Sequence, residues 1–166
     1  MEIRLMKIKD LAAVRALEME LIQEYFGEIL ENKWEDLPQE WKDNLGASSK
    51  RFFLTYVQSG LSFVAVEDDE VLGFIFAQMV HKVYNVENML WVENMGVHTY
   101  FRRMGIGYKL LQACLEEAKK LGAELAHSAI QPDNVPSIML HKKIGYFIDR
   151  REIALLDLKD GKKHRH

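Results

Sequence analysis

The chain has 166 residues, of which 48% are hydrophobic and 28% charged, and its formal net charge is −3. These values fit one globular domain and exclude the broad basic surface of a general nucleic-acid-binding protein. The single cysteine, Cys114, excludes an intrachain disulfide, and its place on an apolar helical stripe predicts a core residue. No apolar run is long enough to span a bilayer or to form a signal peptide, so we expect a cytoplasmic protein with no membrane and no nucleic-acid partner.

The hydrophobic pattern predicts one domain, residues 1–158, followed by a basic tail, residues 159–166. Apolar residues alternate where strands are expected and recur every three or four positions where helices are expected. In chain order the pattern predicts a strand (2–8), a helix (11–25), a loop or broken helix (27–38), helices (39–59), a hairpin (61–67 and 71–83), a strand (90–97), a helix (105–121), a strand (123–130), a short helix (136–145) and a last strand or hairpin (146–158).

The junction between the strand at 90–97 and the helix after it is the most informative segment. Gly105 and Gly107 let the backbone approach a ligand closely, because neither carries a Cβ atom. The first N–H groups of a helix have no partner within it and carry about half a positive charge, which favours an anion. Arg102 and Arg103 add planar, permanently charged donors. This segment therefore predicts a site for a phosphorylated ligand.

Two common phosphate-binding loops do not fit this segment. A dinucleotide fingerprint needs a third glycine where Leu110 stands, and a Walker A loop needs a Gly-Lys-Ser or Gly-Lys-Thr triplet, which the chain lacks. The remaining pattern is Arg-x-x-Gly-x-Gly, from Arg102 to Gly107, with Val97 in the preceding strand. A tight turn without a ligand also uses two glycines, so this short pattern alone leaves both interpretations open.

Two segments together resemble the GNAT superfamily of N-acyltransferases. The first, residues 102–107, resembles the acyl-CoA-binding motif of that family. The second resembles its later motif, Asn-x-x-Ala-x-x-Leu-Tyr-x-Lys-x-Gly-Phe, with matches at Asn134, Leu140, Lys143 and Gly145 and near substitutions at Ser137 and Tyr146. The segments follow one another in the family order, and the resemblance covers residues 60–158 well.

The resemblance implies a mixed α+β fold, with a mostly antiparallel sheet of six to seven strands and helices on both faces. One parallel pair, the strands at 90–97 and 123–130, would splay apart around coenzyme A. Gly96 is either the bulge that opens the pair or an ordinary packing glycine. The implied acyl donor is acetyl-CoA, without a metal. The residues implied to hold it are Met95, Gly96, Val97, Arg102, Arg103, Met104, Gly105, Ile106, Gly107, Tyr108, Asn134 and Ser137.

Acyl transfer from a thioester to an amine requires a base for the amine proton and a hydrogen-bond donor for the oxyanion. The departing thiolate also needs a proton or a stabilising donor. Glu93 is the first candidate for the base, since alternation places it on the face of Met95 and Val97. A structural Glu paired with a cation is the competing interpretation. The oxyanion donor would be a main-chain N–H between Met95 and Val97. His141 stands where the family usually has a Tyr that acts as the general acid. It therefore either donates a proton to the thiolate or only contacts coenzyme A.

The acceptor is the partner that the sequence determines least. Acidic and aromatic residues near the start of the chain would attract a cationic amine, although a solvated acidic helix face also explains them. They are Glu20, Glu24, Glu28, Glu31, Glu35 and Asp36 beside Tyr25, Phe26, Trp34 and Trp41. We expect a small-molecule or peptide amine, and a homodimer stays open. The competing functions are a non-catalytic acyl-CoA-binding module and a phosphate-binding domain unrelated to coenzyme A.

Overall fold

A mixed sheet of five strands forms the centre of the computed structural model, which describes residues 1–29 and 33–159. The strands are β1 (Glu2–Leu5), β2 (Phe63–Glu67), β3 (Glu70–Val83), β4 (Val86–Val97) and β5 (Leu125–Ser128). They follow one another across the sheet in chain order, and all neighbours are antiparallel except β4 and β5, which are parallel.

Helices cover both faces of this sheet and supply the connections between distant strands. The α-helices are α1 (Leu11–Ile29), α2 (Gln39–Asn44), α3 (Ala47–Lys50), α4 (Phe53–Gln58), α5 (Ile106–Lys120) and α6 (Val135–Ile144). Short 3-10 turns lie at Ile8–Asp10, Trp34–Asp36 and Thr99–Phe101. The helix α5 makes the crossover between the parallel strands, as their shared direction requires.

Each face of the sheet has its own apolar core, so the first half of β3 is buried on both sides. On one face, α5 buries the residues that recur at helical spacing against β3 and β4. On the other face, α1 and α4 pack against Phe74 and Phe76. A strand that is buried on both sides has apolar residues at consecutive positions. This explains why residues 71–77 show no alternation of apolar and polar residues.

Cys114 lies within the α5 core and is fully buried, as predicted. Burial raises the pKa of its thiol to about 12, so the group stays protonated at neutral pH. Its Sγ donates to the main-chain oxygen of Leu61, which satisfies its one weak donor. The structure confirms a core residue rather than a nucleophile.

The predicted sheet of six to seven strands is too large, because 146–158 forms neither a strand nor a hairpin. Four charged residues, 149–152, interrupt its apolar pattern, and Asp149 pairs locally with Arg151 at 2.6 Å. Phe147 and Leu158 remain 88% and 89% exposed. Of this segment Tyr146 packs against a core, but from residue 147 onward the chain is mostly exposed and pairs with no strand of the described residues, so no further strand is added to the sheet. The predicted tail lies almost wholly outside those residues.

The bulge of β4 lies at Glu93 and not at Gly96, so of the two interpretations of Gly96 the bulge is wrong and the packing glycine holds. Phe76 pairs with Asn94, whereas the next residue, Ala77, pairs with Val92 and leaves Glu93 as the extra residue. Gly96 is instead a packing glycine, since a Cβ there would lie 2.3 Å from a side-chain carbon of α1, the Cδ1 of Leu21.

This bulge also reverses which residues of β4 share a face. Val92 belongs to the α5 core, and both Met95 and Val97 pack against the same core. Glu93 therefore lies on the opposite face, and its predicted shared face with Met95 and Val97 is wrong. Simple alternation fails because a bulge adds one residue to one strand and shifts the parity beyond it.

Candidate functional site

The two parallel strands pair over only four residues of each, which leaves part of the edge of β4 open. Met89–Val92 pair with Leu125–Ser128, and beyond Val92 no residue of β5 pairs with β4. The N–H of His98 donates to Leu72 of β3 at 2.9 Å. Because successive amides of a strand point to opposite sides, the N–H groups of Val97 and Met95 point away from β3, toward the open edge. Two main-chain donors therefore face the gap between the strands.

The loop after β4 ends at the start of α5 with a row of unpaired N–H groups. Within the described residues, the amides from Arg103 to Tyr108 have no hydrogen-bond acceptor, and the first bond of the helix runs from Lys109 N to Gly105 O at 3.0 Å. No side chain caps this end of the helix. The unpaired donors and the positive end of the helix dipole together form an anion-binding geometry.

The two glycines at the start of α5 differ in what a side chain would meet. Gly105 has a φ of 80°, a left-handed conformation that other residues adopt only with strain. A Cβ at Gly105 would meet no atom within 4 Å, so that position faces open space. A Cβ at Gly107 would lie 3.4 Å from Leu140 of α6 and 3.7 Å from Met95 of β4. Gly107 thus lies where β4, α5 and α6 meet.

The two arginines of the loop have different surroundings. Arg102 binds Glu24 of α1 through two parallel bonds, Nη1 to Oε1 at 2.9 Å and Nη2 to Oε2 at 2.6 Å, and its Nε donates to Val97 O at 3.2 Å. Its donors thus connect α1 to the loop instead of facing an empty anion site. Arg103 and Met104 are exposed, and Arg103 forms no ion pair within the described residues.

This ion pair predicts a pH-dependent stability. The bond from Arg102 holds the pKa of Glu24 below its ordinary value of 4.5, so the pair stabilises the fold above that value and the contribution is lost as the pH falls through the folded pKa. We expect Glu24→Gln to be at most ~1 kcal/mol less stable at neutral pH, since solvent screens this half-exposed pair. Urea unfolding over a pH series should show the difference vanish in acid; a difference that does not change with pH would contradict this.

The predicted residues of α6 mainly organise the helix itself. The side chain of Asn134 accepts from the N–H of Ser137 at 3.1 Å and caps the first turn. The carbonyl oxygen of Ser137 accepts from His141 Nδ1 at 2.8 Å. Lys143 lies over the ring of Tyr108, 5.2 Å from its centroid, and thereby joins α6 to α5. The first two contacts order α6 itself, and the third holds it beside the start of α5.

His141 is buried, with only 1% of its surface exposed. Its ring packs edge-on against Tyr146 at 4.8 Å, and its Nε2 has no hydrogen-bond partner within the described residues. Burial lowers the pKa of this imidazole, although the bond to Ser137 opposes the shift. The neutral ring keeps its proton on Nδ1 for that bond, so Nε2 can accept a proton but has none to give.

The carboxylate of Glu93 is exposed on the face of the sheet opposite α5. It accepts a hydrogen bond from the indole N–H of Trp91 at 2.6 Å. No cation of the described residues lies within ion-pair distance of it, which disfavours the interpretation as a paired structural Glu. A carboxylate in this position can accept a proton from a group bound at the bulge.

Glu18 of α1 is a residue of this region that the sequence pattern did not reveal. It is 2% exposed, and its Oε1 accepts from Asn94 Nδ2 at 3.0 Å while its Oε2 accepts from the N–H and hydroxyl of Ser49. These bonds connect α1, α3 and the residue after the bulge. An acidic residue on an amphipathic helix gives no sequence signal that distinguishes this buried position from a solvated one.

The predicted acidic and aromatic cleft is described only in part, because Glu31 and the side chain of Glu28 lie outside the described residues. Glu20 lies 3.6 Å from His98, and Glu24 is engaged by Arg102. Lys42 lies over the ring of Trp34, 5.8 Å from its centroid. Of these groups, Glu24 is therefore already paired with a cation of the chain itself, and the ring of Trp34 already faces a lysine. Among the described residues, no group of three or more His, Cys, Asp or Glu side chains could hold a metal ion.

Comparison with known proteins identifies relatives over the whole chain and over part of it. The family described as "Protein of unknown function (DUF1999)" matches residues 1–165. The N-alpha-acetyltransferase of Sulfurisphaera tokodaii is 33% identical over 91 residues, which are 51% of this chain and 54% of that protein. The chain thus matches about half the length of this relative.

Solved structures share the fold at low sequence identity. The aminoglycoside N-acetyltransferase AAC(6')-Iy, in complex with the bisubstrate analog CoA-S-monomethyl-acetylneamine, superimposes with a TM-score of 0.70 at 22% identity and covers 94% of this chain and 97% of its own. The apo aminoglycoside 6'-N-acetyltransferase AAC(6')-IG of Acinetobacter haemolyticus has a TM-score of 0.69 at 17% identity, with 96% and 100% covered. The order of strands and helices is shared along almost the full length of these chains.

Proposed function

The chain belongs to the family described as "Protein of unknown function (DUF1999)", and because its fold is that of the GNAT acetyltransferases, we propose that it transfers an acetyl group from acetyl-CoA directly to a primary amine. The observation that carries this proposal is the row of unpaired N–H groups from Arg103 to Tyr108 beside the open edge of β4. Such a row suits a diphosphate, and the open edge suits an extended chain that continues from it.

In the proposed complex, the diphosphate of coenzyme A binds the amides at the start of α5 and the pantetheine extends along the open edge of β4. The thioester carbonyl then lies near Met95 and Val97, whose outward N–H groups can donate to the developing oxyanion. Exposed Arg103 adds positive charge to the anion site. We assign no phosphate contact to Arg102, because Glu24 already occupies its guanidinium.

The proposed reaction is a direct attack of the amine nitrogen on the thioester carbonyl carbon. The nitrogen must first be neutral, since a protonated amine has no free electron pair, and Glu93 accepts the proton directly or through one water. A C–N bond forms, the tetrahedral oxyanion collapses, and the C–S bond breaks to release the thiolate of coenzyme A. Glu93 passes the first proton to solvent and then takes the second proton from the nitrogen of the tetrahedral intermediate, so the product is a neutral amide.

For the departing thiolate we propose protonation by solvent, with His141 as a packing residue of α6. The neutral imidazole holds its proton against Ser137, and burial opposes formation of the imidazolium. A thiolate is a good leaving group near neutral pH, so the reaction does not depend on an acid at this position. His141 is also the feature that favours the second candidate function, a non-catalytic acyl-CoA-binding module.

Release of free thiol from acetyl-CoA across a panel of amines separates the two functions. The panel should include a polyamine, a peptide with a free N-terminus, an N-blocked peptide with one lysine and an aminoglycoside, since the similar proteins include an N-alpha-acetyltransferase and an aminoglycoside N-acetyltransferase. Amine-dependent release above background supports the transferase. Saturable binding of coenzyme A with no release for any amine would support the binding module instead.

A further inference from the structure

The side chain of Glu93 is held by one neighbour, and that neighbour is Trp91. The indole Nε1 donates to Glu93 Oε2 at 2.6 Å, a short bond to a charged acceptor. Both residues lie on the same face of β4, two positions apart and separated by buried Val92. This is the only hydrogen bond that the carboxylate makes within residues 1–29 and 33–159.

Trp91 is itself fixed by contacts that do not involve Glu93. Its ring stacks on His127 of β5 with centroids 4.4 Å apart and planes inclined by 13°, and the strand register places these two residues side by side. The same imidazole also stacks with Tyr84, with ring centroids 6.0 Å apart and planes inclined by 20°. Burial lowers the pKa of His127, which keeps this ring neutral and suited to stacking near neutral pH.

A carboxylate at a bulge depends more on a hydrogen bond that fixes its position than a carboxylate in a regular strand does. The bulged residue has no directly opposed neighbour on β3, so cross-strand packing does not select its rotamer. An exposed Glu side chain otherwise samples several rotamers, whereas a general base must stay within hydrogen-bond reach of the proton that it accepts. One bond from a ring that is already fixed selects a single placement of the carboxylate.

We propose that Trp91 is a positioning residue that holds the carboxylate of Glu93 in place for proton transfer. The inference rests on the proposed acetyl transfer and on the role of Glu93 as its base. Trp91 touches neither the amine nor the thioester in this account, and it acts only through its N–H. Its loss should therefore lower kcat without weakening the binding of coenzyme A.

A double-mutant cycle with Trp91→Phe and Glu93→Gln tests this coupling. Phenylalanine retains an aromatic ring for stacking on His127 but has no N–H, so we expect kcat to fall about tenfold while the Kd of coenzyme A stays within twofold. In the double variant, the loss should equal that of Glu93→Gln alone, because the indole acts only through the carboxylate. Losses that multiply in the double variant would overturn the proposal.

A second measurement needs no activity. In a ¹H–¹⁵N correlation spectrum, the indole resonance that disappears in Trp91→Phe should shift in Glu93→Gln, because the acceptor of its N–H changes. An indole resonance that does not respond to Glu93→Gln would overturn the proposal even if the enzyme is active. If the wild-type protein binds no coenzyme A although the indole resonance shifts in Glu93→Gln, the proposed function is contradicted, and the positioning role of Trp91 in acetyl transfer with it.

Discussion

Glu93→Gln is expected to lower kcat for amine acetylation by about 10²- to 10⁴-fold, the usual contribution of a positioned base. Glutamine has nearly the same shape and can still accept from Trp91, but it cannot take the proton of the amine. The rise of kcat with pH that reports the base losing its proton should disappear as well. Steady-state kinetics over a pH series, at saturating acetyl-CoA, measures both effects.

Glu87→Gln is the matched control for this substitution. Glu87 is an exposed carboxylate on the same strand; its main-chain N–H donates to Glu124 Oε2 at 2.7 Å, and its side chain forms no hydrogen bond or ion pair within the described residues. The control should leave kcat, its pH profile and the Kd of coenzyme A unchanged. A rate and pH profile in Glu93→Gln that match those of the control would show that Glu93 is not the base.

Gly105→Val should weaken the binding of coenzyme A at least about tenfold. A β-branched residue cannot adopt a φ of 80° without strain of roughly 1–3 kcal/mol, so the loop would change conformation and turn its N–H groups away from a common point. Each 1.4 kcal/mol of lost interaction corresponds to about tenfold in Kd. Calorimetric titration with coenzyme A, together with urea unfolding, gives the two effects separately.

Gly122→Val provides a control with the same backbone strain at the other end of α5. Gly122 follows the helix with a φ of 88°, and a Cβ there would lie 3.5 Å from Asn88 Nδ2, an ordinary contact. Both variants should lose stability by similar amounts, whereas only Gly105→Val should lose affinity. An unchanged Kd in a folded Gly105→Val protein would contradict the role of the loop.

The parts of the fold with strong periodicity were predictable from the sequence. α5 has apolar residues at helical spacing from Ile106 onward, and two glycines mark the loop before it, so the strand, loop and helix were predicted in the right order. The mixed sheet with one parallel pair is also confirmed, since a helix between two neighbouring strands allows a parallel pair. The prediction of a last strand failed because apolar alternation does not show whether a partner strand is available.

Details of the site depended on contacts between distant residues, which local patterns do not encode. The bulge at Glu93 changes the parity of β4, and the sequence Val-Glu-Asn-Met carries no signal for an extra residue. The sequence predicts that Arg102 binds phosphate. In the fold its guanidinium instead binds Glu24, which lies 78 positions away in the chain. His141 is buried in the fold and contacts Tyr146, although a histidine among lysines near the end of a helix gives no sequence signal for burial.

The proposed function requires that the free N–H groups between Arg103 and Tyr108 bind the diphosphate of coenzyme A. Calorimetric titration of the wild-type protein with coenzyme A and, separately, with pantetheine, which lacks the diphosphate, tests it most directly. We predict saturable one-to-one binding of coenzyme A and affinity at least about a hundredfold weaker for pantetheine, a difference of about 2.7 kcal/mol. No binding of coenzyme A at millimolar concentration, or equal binding of both compounds, would contradict the claim.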